Sequence, residues 1–272
     1  MRVAVCQMNG GGDDVDVNVA TASRLVAEAA YGGADLVVLP ELFAYYGSQR
    51  RMREIAEPLG GPITRQLAAT AEELGIWLLG GSVCESAEGR VYNTSFLFDR
   101  SGEPVARYRK IHLYDVELPG QRPIRESALF AAGDEVVTRD VGGIRLGLSI
   151  CYDVRFPELY RGLMTSGAVV LAVPSAFQDV TGRAHWEPLL RARAIEEQSY
   201  VLAAAQWGRW GPPDAGHRTH GNAMIVDPWG EIVARGAGEG DGVWLADVDR
   251  DLVRSVRARL PAIAHRRLGT VC

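Results

Sequence analysis

At 272 residues the chain is long enough for one large α/β domain with a sizeable core, and nothing in it demands a second. A net charge of −5 and a pI near 5.6 argue against nucleic acid or an anionic membrane as principal partner. No apolar run reaches transmembrane length, MRVAVCQM passes directly into strand-like sequence, and Cys6, Cys84, Cys151 and Cys272 are widely spaced with no CxxC pair. These features predict free thiols in a reducing, cytoplasmic setting and no disulfide framework.

In chain order, residues 2–8 read as a buried strand. The Gly10–Asp14 cluster supplies a helix cap, 15–31 is an amphipathic helix closed by Gly32-Gly33, and 35–39 (DLVVL) is a second buried strand ending on Pro40-Glu41. Helices are expected over 48–57 and 62–74, then a strand over 76–83. The spans 90–98 and 104–108 flank DRSGE and predict a hairpin. Residues 110–129 hold Pro, Gly and charge with little periodicity, and a long irregular stretch inside a compact domain is usually functional. Strands near 135–140 and 144–150 lead to Cys151. A helix follows over 157–166, with Pro157 at its first position, then a strand over 168–173 ending on Pro174-Ser175. A helix over 184–198, a strand over 200–206 and a tight loop over 208–216 come next. Strands near 221–227, 231–234 and 242–247 precede a last helix over 249–259 and a basic tail over about 260–272. Strands alternate with helices in both halves, and both halves hold hairpins. This predicts two similar halves, each a mixed sheet with helices outside, packed as a four-layer α-β-β-α sandwich in a single domain, 1–272.

Three strand ends carry suggestive groups: Glu41 after VVLP, Lys110 after the second hairpin arm, and Cys151 after LGLSI. Ligands bind at the carboxyl ends of strands in open α/β sheets, and a helix start there favours a thiolate, so Cys151 is the candidate nucleophile. A thiol needs a base, which a strand-end carboxylate can supply. A lysine flanked by carboxylates can stabilise an oxyanion, with the Tyr152 N–H as second donor. Of 29 basic residues 28 are Arg and one is Lys110, which singles it out, because chemistry requiring a compact ammonium cannot accept a guanidinium.

PELF (40–43), YRKIHLYD (108–115) and ICYDVRFPELYR (150–161) resemble the three signature blocks of the nitrilase superfamily of carbon–nitrogen hydrolases, in the same order and over nearly the whole chain. The resemblance implies the four-layer fold and a Glu–Lys–Cys triad carried by Glu41, Lys110 and Cys151. In that triad the glutamate is the general base, the lysine assists the tetrahedral intermediate and the cysteine forms a thioester. Glu126, in RES, matches the superfamily's second glutamate, which would hold Lys110 and the substrate amide or incoming water. Residues 112–127 and 174–206 are similar to the Nit branch. That similarity implies an amidase acting on a 2-oxo dicarboxylate amide such as deaminated glutathione, without a cofactor, as a homodimer or higher homo-oligomer. Omega-amidase, nitrilase or N-carbamoyl hydrolase activity on the same scaffold, or a non-catalytic assembly module, are the alternatives. Arg183 stands where the branch usually has proline, and its charge could bind a carboxylate or simply be exposed.

Tyr45, Arg155, Phe177 and Thr181 are further candidates for contact with substrate, from their places beside strand ends. Asp153 and Arg155 are expected to pair and shape the turn at the nucleophile, and His112 to bond within the segment after Lys110. His217 and His220 have no further ligands at a matching spacing, so no metal is expected. The five arginines in 254–267 read as a solvated helix face and tail.

Overall fold

The computed structural model describes residues 1–118, 122–210 and 217–268. Two mixed sheets of ten and six strands pack face to face, with helices covering each outer side. The alternation of side chains along the first strand, Arg2–Met8, explains the layering. Val3 and Val5 point into a core shared with Leu146, Leu148 and Val170 of the second sheet. Ala4, Cys6 and Met8 point the other way, onto Leu25, Val26 and Ala29 of helix Val15–Tyr31 and Ile63 and Leu67 of helix Pro62–Leu74. Leu36 and Val38 against Val37 and Leu39 repeat the division. Both faces of these strands are buried, which is why they read as continuous apolar runs.

Local chemistry sets the element ends. The Asp14 side chain accepts from the N–H groups of Asp16 and Val17 at the start of the first helix, and Ser48 caps the short helix Gln49–Glu54. Pro62 and Pro157 stand at helix starts, where a missing N–H costs nothing. Helix Asp179–Glu197 begins five residues earlier than its sequence suggests. Gly182 and Pro188 lower helix propensity there, but Gly182 lets the helix lie against the His220 ring, which an added Cβ would meet at 2.4 Å.

The four-layer sandwich is as expected, but the two sheets do not divide between the halves of the chain. Residues 200–206 are not one strand: Tyr200–Ala203 lies in the six-stranded sheet, and Ala205–Trp210 pairs in parallel with Arg2–Met8 in the other. Gly242–Asp247 also crosses, pairing antiparallel with Arg2–Met8 from Arg2↔Asp247 to Gln7↔Gly242. The larger sheet is therefore built from both ends of the chain. The stretch YVLAAAQ is buried from end to end, whichever sheet its residues join, and so does not mark the switch. Of the loop expected over 208–216, residues 208–210 belong to strand Ala205–Trp210, and the rest, like the tail beyond 268 with Cys272, lies outside the described residues. Among the described residues no helix is long and apolar enough to cross a membrane.

Candidate active site

Glu41, Lys110, Glu126 and Cys151 meet in one cavity of about 190 Å³ at the carboxyl ends of the strands. Cys151 follows strand Ile144–Leu148 and opens the 3-10 turn Cys151–Arg155. Its φ of 49° is the left-handed conformation that a side chain adopts only when the surroundings enforce it. The Cys151 N–H donates to Pro174 O at 2.9 Å and that of Asp153 to Ile150 O at 3.1 Å. No acceptor among the described residues takes the intervening Tyr152 N–H.

Asp153 is the post behind this turn. Fully buried, its carboxylate accepts from Ile150 N, His112 N, His112 Nδ1 and the Tyr108 hydroxyl, at 2.6–3.0 Å. The expected Asp153–Arg155 pair does not form, because backbone and aromatic donors already surround the acid. His112 accordingly bonds across to Asp153 rather than within its own segment, and stacks on Phe156.

Glu41 sits on a turn whose next residue, Leu42, is also left-handed at φ 48°. Gly81 makes room for it: at φ 55°, an added Cβ there would lie 2.0 Å from Pro40 O. From the second half of the chain, buried Gln206 clamps the same turn. Its Nε2 donates to Glu41 O at 2.8 Å and Leu42 O at 3.0 Å, and its Oε1 accepts from Gly10 N at 2.7 Å. Gln206→Leu is expected to orphan these three backbone groups and cost about 3 kcal/mol or more. Urea denaturation reads this directly, and an unchanged midpoint would mean that water replaces the amide.

Lys110 follows strand Pro104–Arg109, its N–H bonded to Asn93 O at 2.9 Å. Its Nζ lies 2.8 Å from Glu41 Oε1 and 3.0 and 2.9 Å from the two oxygens of Glu126. Burial opposes the ammonium charge, but Glu126, Glu41 and Cys151 outweigh it and hold the lysine well above its usual range. Glu126 opens the 3-10 turn Glu126–Ala128 and also accepts from Tyr114 N at 2.6 Å. Burial pushes its carboxyl up, against Lys110 and with the charge of Glu41. The second oxygen of Glu41 accepts from Ala176 N at 2.9 Å.

Burial first, then the charge of Glu41, push the Cys151 thiol well above its ordinary value, with Lys110 pulling the other way. The expected pull of a helix start toward the thiolate does not prevail here. The helical turn at Cys151 is five residues long, too short for its dipole to offset desolvation. The sulfur is therefore neutral at rest and reacts only if a neighbour takes its proton.

The sequence matches the carbon–nitrogen hydrolase family over residues 2–258. The chain belongs to that family. It is 45% identical to mouse deaminated glutathione amidase over 97% of this chain and 83% of that protein. Its identity to human omega-amidase NIT2 is 38%, over 98% and 95%. The C. elegans NitFhit crystal structure superposes with a TM-score of 0.90 at 37% identity, covering 98% of this chain and 65% of that longer one. The chain is thus a carbon–nitrogen hydrolase of the Nit branch, related to named amidases.

Of the remaining candidates, Arg155, Phe177 and Thr181 line the hydrolase cavity, and the Arg155 guanidinium lies 4.9 Å from the Phe177 ring centre. Tyr45 and Arg183 do not line it, and both expectations are corrected. The turn at Leu42 sends Tyr45 into a separate apolar cluster with Met52 and Phe130, where its hydroxyl accepts from Ser48 N, and its neighbour Tyr46 faces the cavity instead. Arg183 is exposed, one helical turn from its partner Asp179, with Nη2 to Oδ2 at 2.8 Å. Sequence reasoning missed Asn93, Tyr114, Gln178 and Trp210. The only signal for Asn93 was an unusually polar stretch, NTS, inside strand Arg90–Phe98, all of it buried. His217 pairs with Gln178 and stacks on Trp210, and His220 pairs with Asp179.

Proposed function

We propose that this hydrolase cleaves the amide of a small linear 2-oxo dicarboxylate amide, such as deaminated glutathione, through a thioester on Cys151. Glu41 takes the thiol proton as the sulfur attacks the carbonyl. One ammonium proton serves each carboxylate, leaving the third Lys110 proton for the oxyanion, with the Tyr152 N–H as second donor. Protonated Glu41 gives its proton to the departing amine. It then takes a proton from water as the hydroxide adds to the thioester, and returns it to the sulfur as the C–S bond breaks and the acid leaves, while Glu126 keeps Lys110 in register. The observation that carries this reading is a buried ammonium locked between two carboxylates beside a neutral thiol.

The acid end of the substrate is assigned to Arg155, a cation at the cavity wall whose face is packed on Phe177 and whose Nη1 meets His185, whereas Arg125, also at the wall, pairs with Glu117. The names of the curated relatives favour the same substrate class. Mass spectrometry of enzyme quenched during turnover is expected to show the acyl group on the Cys151 peptide. A panel of 2-oxo dicarboxylate amides, aliphatic amides, nitriles and N-carbamoyl compounds then reads the products. Acid plus amine only from the first class supports the proposal, and ammonia from nitriles or carbon dioxide from carbamoyl compounds replaces it. We also infer work in a reducing cytosol, from the unpaired Cys6, Cys84 and Cys151, and assembly into a homo-oligomer. The exposed apolar pair Ile195 and Trp229, brought together where Gly230 meets Ile195, suits a subunit contact.

A further inference from the structure

Asn93 stands in the middle of strand Arg90–Phe98 with no solvent exposure. Its backbone serves the sheet, facing Cys84 in register and accepting from Lys110 N. Its side chain does something else. Nδ2 donates one proton to Glu41 Oε1 at 2.9 Å and the other to Glu126 Oε1 at 3.1 Å. With Lys110 Nζ bonded to the same two oxygens, four groups close a ring: carboxylate, amide, carboxylate, ammonium. The other end of the amide is idle, since Asn93 Oδ1 is buried and has no hydrogen-bond partner among the described residues. A buried acceptor left unpaired carries a desolvation cost, so the residue is worth keeping for its NH2 alone.

We propose that Asn93 is a positioning residue: with Lys110 it saturates Glu41 Oε1, so that the thiol proton of Cys151 is received on Oε2. Oε1 takes two donors, the Asn93 amide and the ammonium, and has no lone pair left for a proton. Oε2 has one, from Ala176 N, and keeps a free lone pair. The base can therefore be protonated and deprotonated through each turnover without breaking a bond of the ring. The same amide holds Glu126 at a fixed distance from Glu41, which keeps Lys110 centred. The inference rests on Glu41 being the base, and the acyl-enzyme experiment above tests that separately. Absence of any Cys151 adduct in the wild type would remove the base assignment whatever Asn93 does.

Asn93→Leu keeps the volume and removes both donors. The charged and titratable groups around position 93 are Glu41, Glu126, Lys110 and Cys151 of the cavity and the Cys84 thiol on the neighbouring strand, with the Tyr46 hydroxyl nearby. Losing a donor to each carboxylate favours their protonation, so the acid limb of the kcat/KM profile is expected to move up by about one pH unit. At the pH optimum kcat is expected to fall about 10- to 100-fold, with KM within about threefold of wild type, since the amide does not line the cavity. Asn93→Asp, which matches the shape but presents an acceptor, is expected to displace the limb in the same direction. A folded Asn93→Leu or Asn93→Asp enzyme with an unmoved limb and normal kcat overturns the proposal. So does failure of both variants to fold, which would make the residue a support of the sheet alone.

Discussion

Glu41→Gln is expected to lower kcat by about 10²- to 10⁴-fold while leaving KM nearly unchanged. The glutamine fills the same space, and its oxygen can still accept from Lys110 and Asn93. It cannot take a proton. The Cys151 thiol, lifted by burial, then has no route to the thiolate at neutral pH. The variant also sets an amide NH2 against the Ala176 N–H that now donates to Glu41, two donors facing each other. Single-turnover kinetics separates the consequences. Both acylation and deacylation slow if Glu41 serves both steps, and only acylation slows if another group activates water. A kcat within tenfold of wild type would rule Glu41 out as the base. The rate of Cys151 alkylation by iodoacetamide is expected to rise more steeply with pH in the variant, because the thiol must then ionise to solvent unaided.

Lys110→Arg is expected to cost about 10²- to 10³-fold in kcat, the loss associated with one oxyanion donor, despite an unchanged formal charge. The lysine seat is 2% exposed and is defined by contacts of 2.8–3.0 Å to two carboxylates on opposite sides. A planar guanidinium would pair side-on with one of them and leave the other short of a donor. It also brings extra heavy atoms into a filled space, adding about 1–3 kcal/mol of strain. Thermal denaturation measures that strain independently. A well-folded variant with a near-normal rate would show that the cation is required only for its charge, with the oxyanion held elsewhere. Both predictions turn on the same geometry: the Lys110 ammonium is held at 2.8–3.0 Å from both Glu41 and Glu126 in the cavity that also holds Cys151, so each position admits one shape.

Lys110 illustrates how far composition can reach. A lone lysine among arginines pointed to a site needing a compact cation, and the seat in the structure is of that size. Arg183 shows the opposite. Its place in the motif suggested a ligand for a carboxylate, but four residues of helix put Asp179 beside it and the charge is spent at the surface. Tyr45 and Tyr46 are adjacent, and only the left-handed turn at Leu42 decides which of them faces the cavity.

Apolar runs, caps and turn residues are short-range signals, so the chain's own pattern was enough to determine most strands and helices, the layered α/β class and the three strand ends that carry Glu41, Lys110 and Cys151. The exchange of strands between the halves, the Gln206 clamp and the Asn93 ring depend on contacts between residues far apart in the chain: Gln206 and Gly10 are 196 positions apart, and Arg2 pairs with Asp247. Nothing local distinguishes a buried strand of one sheet from that of the other. Electrostatics followed the same division: a helix start beside Cys151 favours the thiolate, and burial, which exists only once the layers close, pushes the thiol up instead.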